Sequence, residues 1–234
     1  MLGRTVSRNC SEESILASGM GKRRAAAKID SAPNYERRRQ QITEAAARVF
    51  DRKGFSGTTI SAVAEELKID RASLYYYISS KEELFDELVR EVSEDNVAMA
   101  RKIVASDLSP PEKITQLIVE LMLAYERTYP ILYIYIREDL GAVGSSRSKW
   151  ASKMRKVNKE YDAAVIDIIQ QGYDDGSFRP MGPPKIVAYA ILGMINWSNR
   201  WYNPKKSDHN AKEIAEMFAQ LVTGGLVAGK LPEM

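Results

Sequence analysis

The chain has 234 residues, of which 44% are hydrophobic and 28% are charged, and its formal net charge is +3. This composition is ordinary for a globular protein, and so modest a charge does not by itself indicate a nucleic-acid partner. No stretch approaches the roughly 18 apolar residues that a membrane span needs. The single cysteine, Cys10, excludes an internal disulfide framework and fits a reducing cytoplasm. Because His209 is the only histidine, a zinc cluster is excluded as well, and the sequence predicts no metal and no cofactor.

Residues 1–34 differ from the rest of the chain because they contain no sustained apolar stripe. Their basic residues outnumber the acidic ones, and they are Arg4, Arg8, Lys22, Arg23, Arg24 and Lys28. A segment of this kind cannot bury enough apolar surface to fold alone, so we predict a disordered basic extension. Two interpretations stay open: the run from Lys22 to Arg24 is an arm that reaches DNA, or translation begins at Met20.

Residues 35–82 carry the pattern of three short helices. Apolar residues recur at helical spacing in the first helix, and they are Ile42, Ala45, Ala46, Val49 and Phe50. Gly54 is a stop signal, and either Thr58 or Thr59 offers an N-cap hydroxyl for the second helix. A short break at 68–70 then leads to a polar and aromatic third helix, Arg71–Tyr77. Two helices joined by a tight turn, with a polar second helix, are typical of a helix-turn-helix DNA-binding domain.

Three motifs in a fixed order make this pattern more specific. They are Gly54-Phe55-Ser56-Gly57-Thr58-Thr59-Ile60, then Ala64 through Ile78, then Ser80-Lys81-Glu82-Glu83-Leu84. Together they resemble the DNA-binding domain of the TetR family of bacterial transcriptional repressors. Tyr77 stands where that family most often has histidine, and Ile78 where it most often has phenylalanine. The resemblance implies a homodimer with an N-terminal helix-turn-helix domain and a C-terminal ligand-binding and dimerisation domain.

Candidate phosphate contacts lie at two helix starts. Amides and hydroxyls at a helix N-terminus can bind phosphate, so we expect Thr58 and Thr59 to contact the DNA backbone. Lys81 begins the next helix, where a cation opposes the helix dipole unless a phosphate approaches. We therefore predict a backbone contact for Lys81, with a solvated surface lysine as the alternative.

The third helix is expected to enter the major groove. Arg71, Ala72 and Ser73 begin it, and this end of a recognition helix usually faces the base edges. An arginine can pair with guanine through two hydrogen bonds, and an alanine methyl group can lie against thymine. The resemblance further implies that Tyr75 approaches bases or sugars and that Tyr76 approaches a phosphate. Ordinary packing is the alternative for a run of tyrosines.

Residues 83–230 are predicted to form the ligand-binding and dimerisation domain, which makes the whole protein all-α with about nine helices. Residues 131–136 have strand propensity, but no partner strand lies nearby, so we predict a buried helix. The last two helices are expected at about 184–201 and 211–227, and both carry dense apolar stripes. By resemblance they form a four-helix dimer interface across a two-fold axis. Packing within one protomer is the alternative.

The effector site is less well determined by the sequence. Aromatic and methionine side chains of the central helices can line an apolar pocket, although a plain core explains them equally well; they are Tyr125, Tyr133, Trp150 and Met154. The segment Trp197-Ser198-Asn199-Arg200-Trp201-Tyr202-Asn203-Pro204 resembles a TetR subgroup that responds to coenzyme A thioesters of fatty-acid or sterol catabolism. This resemblance implies ligand contacts by Asn196, Trp197, Arg200 and Trp201.

A coenzyme A ligand also needs cations for its phosphates. A basic stretch of the long helix near residue 150 can supply them, with a solvated helix face as the alternative; its members are Arg147, Lys149, Lys153, Arg155, Lys156 and Lys159. The competing effector class is a lipophilic drug or an aromatic metabolite, as sensed by efflux regulators of this family. The sequence does not separate the two classes.

The predicted function is a repressor that releases a pseudo-palindromic operator when a small lipophilic effector, such as an acyl-coenzyme A, binds to it. A drug-sensing repressor, a DNA-binding protein without an inducer and an activator stay open as alternatives. An enzyme is not predicted. The neighbouring carboxylates Glu138 and Asp139 diverge by about 100° on a helix, His209 lies in a polar loop, and the sequence has no glycine-rich phosphate loop.

Overall fold

The computed structural model describes residues 32–137 and 148–227. In these two ranges the chain forms nine α-helices and one short 3-10 turn at Ser198–Arg200. The helices are α1 (Ala32–Gly57), α2 (Ile60–Leu67), α3 (Arg71–Tyr77), α4 (Lys81–Val104), α5 (Pro110–Arg127), α6 (Ile131–Arg137), α7 (Ser148–Asp174), α8 (Pro184–Trp197) and α9 (Ala211–Leu226). The predicted all-α fold is confirmed.

The chain divides into two compact units, one ending at Leu88 and the other beginning at Val89. Helix α4 starts in the first unit and continues in the second. The limits predicted from the sequence, 35–82 and 83–230, stay predictions. None of the helices in the described ranges combines the length and the apolar character needed to cross a membrane.

The first unit is built around the apolar face of α1. The five residues of the predicted stripe are all fully buried, and they are Ile42, Ala45, Ala46, Val49 and Phe50. The ring centre of Phe50 lies 5.8 Å from that of Phe55 and 5.6 Å from that of Phe85, and the last two rings are 4.9 Å apart. Because burying one such ring stabilises a fold by about 1.5–3 kcal/mol, this cluster holds α1 against the start of α4.

Capping residues fix the two helices of the helix-turn-helix. Thr59 is the N-cap of α2, and its hydroxyl accepts a hydrogen bond from the Ala62 N–H at 3.1 Å. Asp70 is the N-cap of α3, and its carboxylate accepts one from the Ser73 N–H at 2.8 Å. Between these two caps, Lys68 ends α2 with a left-handed backbone, φ 55°. The local sequence thereby determines where each helix begins and where the chain turns.

The second unit is a helical bundle in which α5 packs against α7 and α9, and α7 packs against α8. Helix α5 begins with a capping box, in which the Glu112 carboxylate accepts a hydrogen bond from the Ser109 N–H at 2.8 Å. The helix predicted for residues 131–136 is present as α6, and the Ile134 N–H donates to the Pro130 carbonyl at 2.9 Å. Strand propensity is overridden there because the segment packs among helices, where only internal bonds satisfy its backbone.

A buried lysine joins three helices of this bundle. The Lys113 residue is only 7% exposed, and its amine donates to the Val104 carbonyl and to the Gln171 side-chain oxygen, both at 2.8 Å. Carbonyl groups in the last turn of a helix have no partner within that helix. Lys113 therefore satisfies the end of α4 while it links α5 to α7.

Candidate DNA interface and effector cavity

The starts of α2 and α3 present an exposed polar surface. Thr59, Arg71, Ala72 and Ser73 are all exposed, whereas Leu74, the next residue of α3, is fully buried. Leu74 anchors the recognition helix in the core of the unit, and the side chains before it remain accessible. These four predicted residues therefore have the exposure that DNA contacts require.

Thr58 and Thr59 have different roles in the structure, although the sequence predicted the same role for both. It is 1% exposed, and its hydroxyl donates to the Gly54 carbonyl at 2.7 Å. Gly54 has φ 68°, a left-handed conformation that glycine adopts without strain, and it breaks α1 near its end. Thr58 thus closes the turn between α1 and α2. This position does not suit the phosphate contact expected of the Thr58 hydroxyl, and Thr59 is the better candidate of the two.

The aromatic side chains of α3 are oriented by their neighbours. One terminal nitrogen of Arg71 donates to the Tyr75 hydroxyl at 2.8 Å, and the guanidinium lies 5.2 Å from the centre of the Tyr75 ring. The Tyr76 ring packs edge-on against Tyr77 at 5.0 Å and against Tyr35 at 6.4 Å. Tyr75 and Tyr76 both remain partly exposed. Since a guanidinium has five N–H donors, Arg71 keeps donors for a base edge.

Lys81 holds the turn between α1 and α2. Its amine donates to the carbonyl groups of Phe55 at 2.9 Å and Ser56 at 3.3 Å, and it lies 4.8 Å from the centre of the Phe55 ring. An ammonium group has three donors, so one stays available for a phosphate. The side chain is partly exposed, and its contact with DNA stays a prediction.

One half of a capping box forms at the start of α4. The Ser80 hydroxyl accepts a hydrogen bond from the Glu83 N–H at 3.1 Å. The Glu83 carboxylate accepts bonds from the N–H of Ser79, at 2.7 Å, and from the Ser79 hydroxyl, rather than from Ser80. Burial opposes the ionisation of Glu83, but the hydrogen bonds from Ser79 and Arg39 outweigh it and hold the pKa of Glu83 below its ordinary value.

Arg39 orients the recognition helix, a role that sequence reasoning missed. Its guanidinium donates to the Tyr77 carbonyl at 2.7 Å, to both Glu87 oxygens at 3.0 and 2.7 Å, and to Glu83 at 3.2 Å. Burial lowers the pKa of Arg39, and the two carboxylates raise it by more. This Arg39 network, consisting of Arg39, Tyr77, Glu83 and Glu87, ties α1 to the last turn of α3 and to α4. Its members lie up to 48 residues apart in the chain, so local spacing gave no signal.

The second unit contains a cavity of about 370 Å³ whose walls come from five helices. The contributing helices are α4, α5, α6, α7 and α8, and the lining residues are Ser93, Asn96, Leu121, Tyr125, Leu132, Tyr135, Ile136, Val157, Asn158, Tyr161, Asp162, Leu192, Ile195 and Asn196. A volume of this size lies within the usual range for small-molecule sites.

Polar groups interrupt the apolar wall of the cavity along α7. The Asn158 amide donates to the Tyr135 hydroxyl at 3.0 Å. Burial raises the pKa of Tyr135, and the bond with Asn158 opposes this shift. Burial raises the pKa of Tyr161 well above its ordinary value, and the nearby Asp162 carboxylate adds to the shift. The pKa of Asp162 is itself raised by burial, against a hydrogen bond with Tyr189 and the charge of Lys185.

Two of the predicted effector residues line the cavity, and they are Tyr125 and Asn196. The other six are not among the lining residues: Tyr133, Trp150, Met154, Trp197, Arg200 and Trp201. Met154 is fully buried in the core, whereas Trp197 and Trp201 are 58% and 54% exposed. Ile195 faces the cavity, and residue 197 lies about 200° further round the helix, at roughly 100° per residue. The ligand contacts of all eight predicted effector residues stay predictions.

Two of the lining residues, Asn158 and Tyr161, could have been predicted from the sequence pattern of α7. Asn158 and Tyr161 occupy positions on the same side of α7 as the buried Met154 and Val165, so polar groups interrupt an apolar stripe. A polar interruption of an otherwise buried stripe is a signal of a ligand or an internal network, because polar groups near a core need partners. In the isolated chain Asn158 is exposed and Tyr161 is partly exposed. The contributions of Ser93 and Asn96 had no comparable signal in the sequence.

An exposed apolar surface runs along α8 and α9. Its large side chains are all at least 46% exposed, and they are Ile186, Tyr189, Trp197, Met217 and Leu221. Arg200 lies over the Trp197 ring at 4.4 Å, and the Trp201 ring lies 6.4 Å from Phe218. An apolar surface of this extent on two helices is typical of a protein–protein interface.

Some predicted features lie outside the described residues. They are the extension 1–31 with Cys10 and the run from Lys22 to Arg24, the carboxylates Glu138 and Asp139, Arg147, and residues 228–230. The remaining cations of the basic stretch of α7 are exposed, and Lys153 forms an ion pair with Glu94 at 2.8 Å. His209 is exposed and lies 3.5 Å from Glu213.

Two family models match the N-terminal and C-terminal parts of the chain separately. Residues 42–88 match the model described as bacterial regulatory proteins, tetR family, and residues 107–226 match the model described as tetracyclin repressor-like, C-terminal domain. The HTH-type transcriptional repressor KstR2 of Mycobacterium tuberculosis is 30% identical over 190 residues, which are 81% of this chain and 92% of that protein.

Solved structures agree with these matches. The ketosteroid transcriptional regulator KstR2 of Mycobacterium tuberculosis superposes with a TM-score of 0.71 at 28% identity, over 82% of this chain and 96% of that chain. AibR in complex with isovaleryl coenzyme A and operator DNA superposes with a TM-score of 0.65 at 23% identity, over 79% of this chain and 97% of that chain, a likeness of fold alone. These relatives are transcriptional regulators and not enzymes. From its paired family models and its similarity to KstR2, the chain belongs to the TetR family of bacterial transcriptional regulators.

Proposed function

We propose that the protein is a dimeric repressor that leaves its operator when an acyl-coenzyme A thioester binds in the second unit. The observation that carries this proposal is the cavity of about 370 Å³, which five helices of a TetR-family protein line with a mixed apolar and polar wall. A DNA-binding protein without an inducer has no need for such a cavity. Because a fold alone does not determine function, the cavity and not the fold supports this assignment.

In the proposed complex, α3 lies in the major groove with Arg71, Ala72 and Ser73 at the base edges. Tyr75 approaches bases or sugars, and Thr59, Tyr76 and Lys81 contact phosphates. Arg39 does not touch DNA and acts by fixing α3 through the Tyr77 carbonyl. The Thr58 hydroxyl is assigned to the turn between α1 and α2 and not to a phosphate.

A second copy of the chain covers the exposed apolar surface of α8 and α9. Ile186, Trp197, Met217 and Leu221 are each at least 58% exposed in the isolated chain, so their burial in a dimer would be favourable. A two-fold axis through this surface places four helices in the interface. Dimerisation also supports DNA reading, since two recognition helices about 34 Å apart can read both halves of a pseudo-palindrome.

The size of the cavity determines which part of a thioester can enter. At roughly 30 Å³ for each water-sized group, a cavity of about 370 Å³ holds on the order of a dozen such groups. This is enough for a short acyl chain or a small ring system, and the nucleotide part of coenzyme A stays outside. AibR, which shares this fold, is seen in complex with isovaleryl coenzyme A, and KstR2 is described as a ketosteroid transcriptional regulator, which supports a ligand of this chemical class.

Release of DNA follows from a population shift between two states of the dimer. A ligand shifts an equilibrium only by its difference in affinity for the two states, and by linkage DNA weakens the ligand by the same factor. Helix α4 is the proposed lever, because it carries Glu83 and Glu87 of the Arg39 network and also Ser93 and Asn96 of the cavity wall.

A thermal-shift screen with coenzyme A thioesters tests the effector class. A ligand at about 100 times its Kd stabilises a protein by roughly 2.7 kcal/mol, and we expect thioesters to raise the Tm while the free acids and coenzyme A alone do not. The same compounds should release a labelled operator fragment. If no thioester raises the Tm but a lipophilic drug or aromatic metabolite does, the coenzyme A proposal is wrong and an efflux-type regulator replaces it.

A further inference from the structure

The Tyr161 hydroxyl is a buried polar group without a hydrogen-bond partner in the part of the chain that the structure describes. Tyr161 is among the residues that line the cavity, and so are its neighbours Asn158 and Asp162. Nearly all buried polar atoms in folded proteins are hydrogen-bonded, and an exception at a cavity wall needs an explanation. A ligand that supplies the missing partner is such an explanation.

The protonation of Tyr161 determines which partner it can take. Burial and the neighbouring Asp162 both raise the pKa of Tyr161, so the phenol keeps its proton and acts as a donor. The partner is therefore an acceptor such as a carbonyl oxygen. The Asn158 side chain, one turn earlier on α7, is engaged with the Tyr135 hydroxyl at 3.0 Å and is not free to turn towards Tyr161.

The Asp162 carboxylate beside the Tyr161 hydroxyl determines which acceptor group of a ligand is favoured there. Asp162 lines the cavity next to Tyr161, and burial raises the pKa of Asp162 against a hydrogen bond with Tyr189 and the charge of Lys185. A ligand carboxylate at this place would meet the same burial penalty, and an ionised Asp162 would repel it more strongly than in water. An uncharged carbonyl avoids this repulsion and still accepts the hydrogen bond.

We infer that the Tyr161 hydroxyl binds an uncharged carbonyl oxygen of the effector, so that the cavity accepts thioesters or ketones and discriminates against the corresponding carboxylic acids. This inference rests on the proposed function, because it assigns a residue to recognition within the effector site. The two carbonyl sources share one chemistry, and the ligands of the test separate them.

The test compares wild-type protein with Tyr161→Phe, which removes only the hydroxyl. Tyr173→Phe is the control, because Tyr173 lies on the same helix but does not line the cavity, and its hydroxyl accepts only an exposed hydrogen bond, from the Met181 N–H at 3.2 Å. Each protein is titrated with acyl-coenzyme A thioesters and with S-alkyl-coenzyme A thioethers of equal chain length, which lack the carbonyl. Cyclic ketones and carboxylic acids of similar size form the second pair of ligands.

We expect wild-type protein and Tyr173→Phe to prefer the carbonyl compound of one pair by roughly 3- to 10-fold, the range for one neutral hydrogen bond. Tyr161→Phe should bind thioester and thioether equally, and its preference for ketone over acid should fall but not vanish, because Asp162 still disfavours the acid. A preference for thioester over thioether identifies the coenzyme A source, and one for ketone over acid identifies a free ketone. If Tyr161→Phe keeps the wild-type preference, the inference is overturned, although effector binding itself stands.

The Tm of the proteins without ligand provides a second readout, which needs no effector. Since the Tyr161 hydroxyl has no partner in the described residues, its removal should leave the Tm unchanged or raise it. A Tm that falls for Tyr161→Phe, with Tyr173→Phe unchanged, means that the hydroxyl serves the fold, and this overturns the inference. If no thioester or ketone binds to wild-type protein, the proposed effector class and the inference both fail. If these compounds bind but Tyr161→Phe does not change the selectivity, only the inference fails.

Discussion

The DNA-binding unit and the effector unit use their polar side chains in different ways. In the first unit the Thr58 hydroxyl, the Lys81 amine and the Arg39 guanidinium all have hydrogen-bond partners that hold the helix-turn-helix in shape. In the second unit the cavity wall includes a Tyr161 hydroxyl without such a partner in the described residues. The first unit is thus preorganised for its ligand, while under the proposed function the second keeps a hydrogen-bonding group for an effector that binds and leaves.

The largest effect that bears on this comparison is expected in the aromatic core of the DNA-binding unit. Phe50→Ala removes a fully buried ring that touches both Phe55 and Phe85, and it should lower the free energy of unfolding by about 3–5 kcal/mol. Urea unfolding followed by circular dichroism measures the loss. Phe55→Ala, at a partly exposed position of the same cluster, should cost clearly less. A loss for Phe50→Ala no larger than that of a surface substitution, about 0.5 kcal/mol, would mean that the cluster does not hold the unit together.

The next largest effect concerns the Arg39 network. Arg39→Met leaves Glu83 and Glu87 partly buried without their cation, and it should lower the free energy of unfolding by roughly 2–3 kcal/mol. Operator affinity should fall as well, because the Tyr77 carbonyl loses the donor that fixes α3. Arg48→Met is the control, since Arg48 pairs with Glu66 at the surface, 52% exposed, where a pair contributes less than about 1 kcal/mol. Similar losses for both variants would contradict a positioning role.

Base recognition should show a smaller effect that depends on the operator sequence. Arg71→Ala should weaken binding to the natural operator by about 1–3 kcal/mol and relax the preference at one base pair. Lys81→Gln is the comparison, and it should weaken binding to all sequences alike and reduce the salt dependence by about one unit of slope. Fluorescence anisotropy with an operator library at several salt concentrations measures both. A sequence-dependent loss for Lys81→Gln would reverse its assignment.

Acid should weaken the DNA-binding unit through Glu83. Its folded-state pKa lies below the ordinary value, so its contribution to stability is complete above the unfolded pKa of about 4.3 and is lost as pH falls through the folded value. Urea unfolding between pH 7 and pH 3 should therefore show a steeper decline for wild-type protein than for Glu83→Gln. Parallel pH profiles would show that Glu83 is not preferentially ionised in the folded state.

Filling the effector cavity should have the smallest effect on stability. Val157→Phe places a larger side chain at a lining position, and the cavity has room for it, so the free energy of unfolding should change by less than about 1 kcal/mol. Operator binding should persist while effector-induced release is lost, which an anisotropy titration with thioester would detect. Release that persists at wild-type effector concentrations would place the effector elsewhere.

The sequence predicted the fold and the family, and the reason is that these depend on local patterns. Caps, a glycine stop and helical spacing place α1 to α3, and the three ordered motifs around Arg71–Tyr77 carry the family resemblance. The helix at residues 131–136 could be predicted because no partner strand lay nearby. Relations between helices could not be predicted in this way, and the partners of Arg39 became visible only in the folded unit.

The residues that line the cavity were even harder to predict from the sequence than the partners of Arg39. Its wall consists of residues from five helices, so the direction in which each helix packs decides which side chains reach it. The tryptophan-rich segment attracted the prediction because of its composition, but Trp197 and Trp201 lie at the surface. Asn158 and Tyr161 carried a weaker signal, a polar interruption of an apolar stripe, and that signal acquires meaning only when neighbouring helices are in place.

Lys68 has a left-handed backbone conformation, and its side chain affects the charge and stability of the turn but not the packing of the core. A residue other than glycine or asparagine costs about 1–2 kcal/mol in this conformation, and the exposed Lys68 side chain does not contribute to the core. Exchange among lysine, asparagine and glycine here would alter the local charge and the stability of the turn without disturbing any packed residue. Lys68→Gly and Lys68→Asn would therefore remove one positive charge near the recognition helix while they relieve the backbone of the turn.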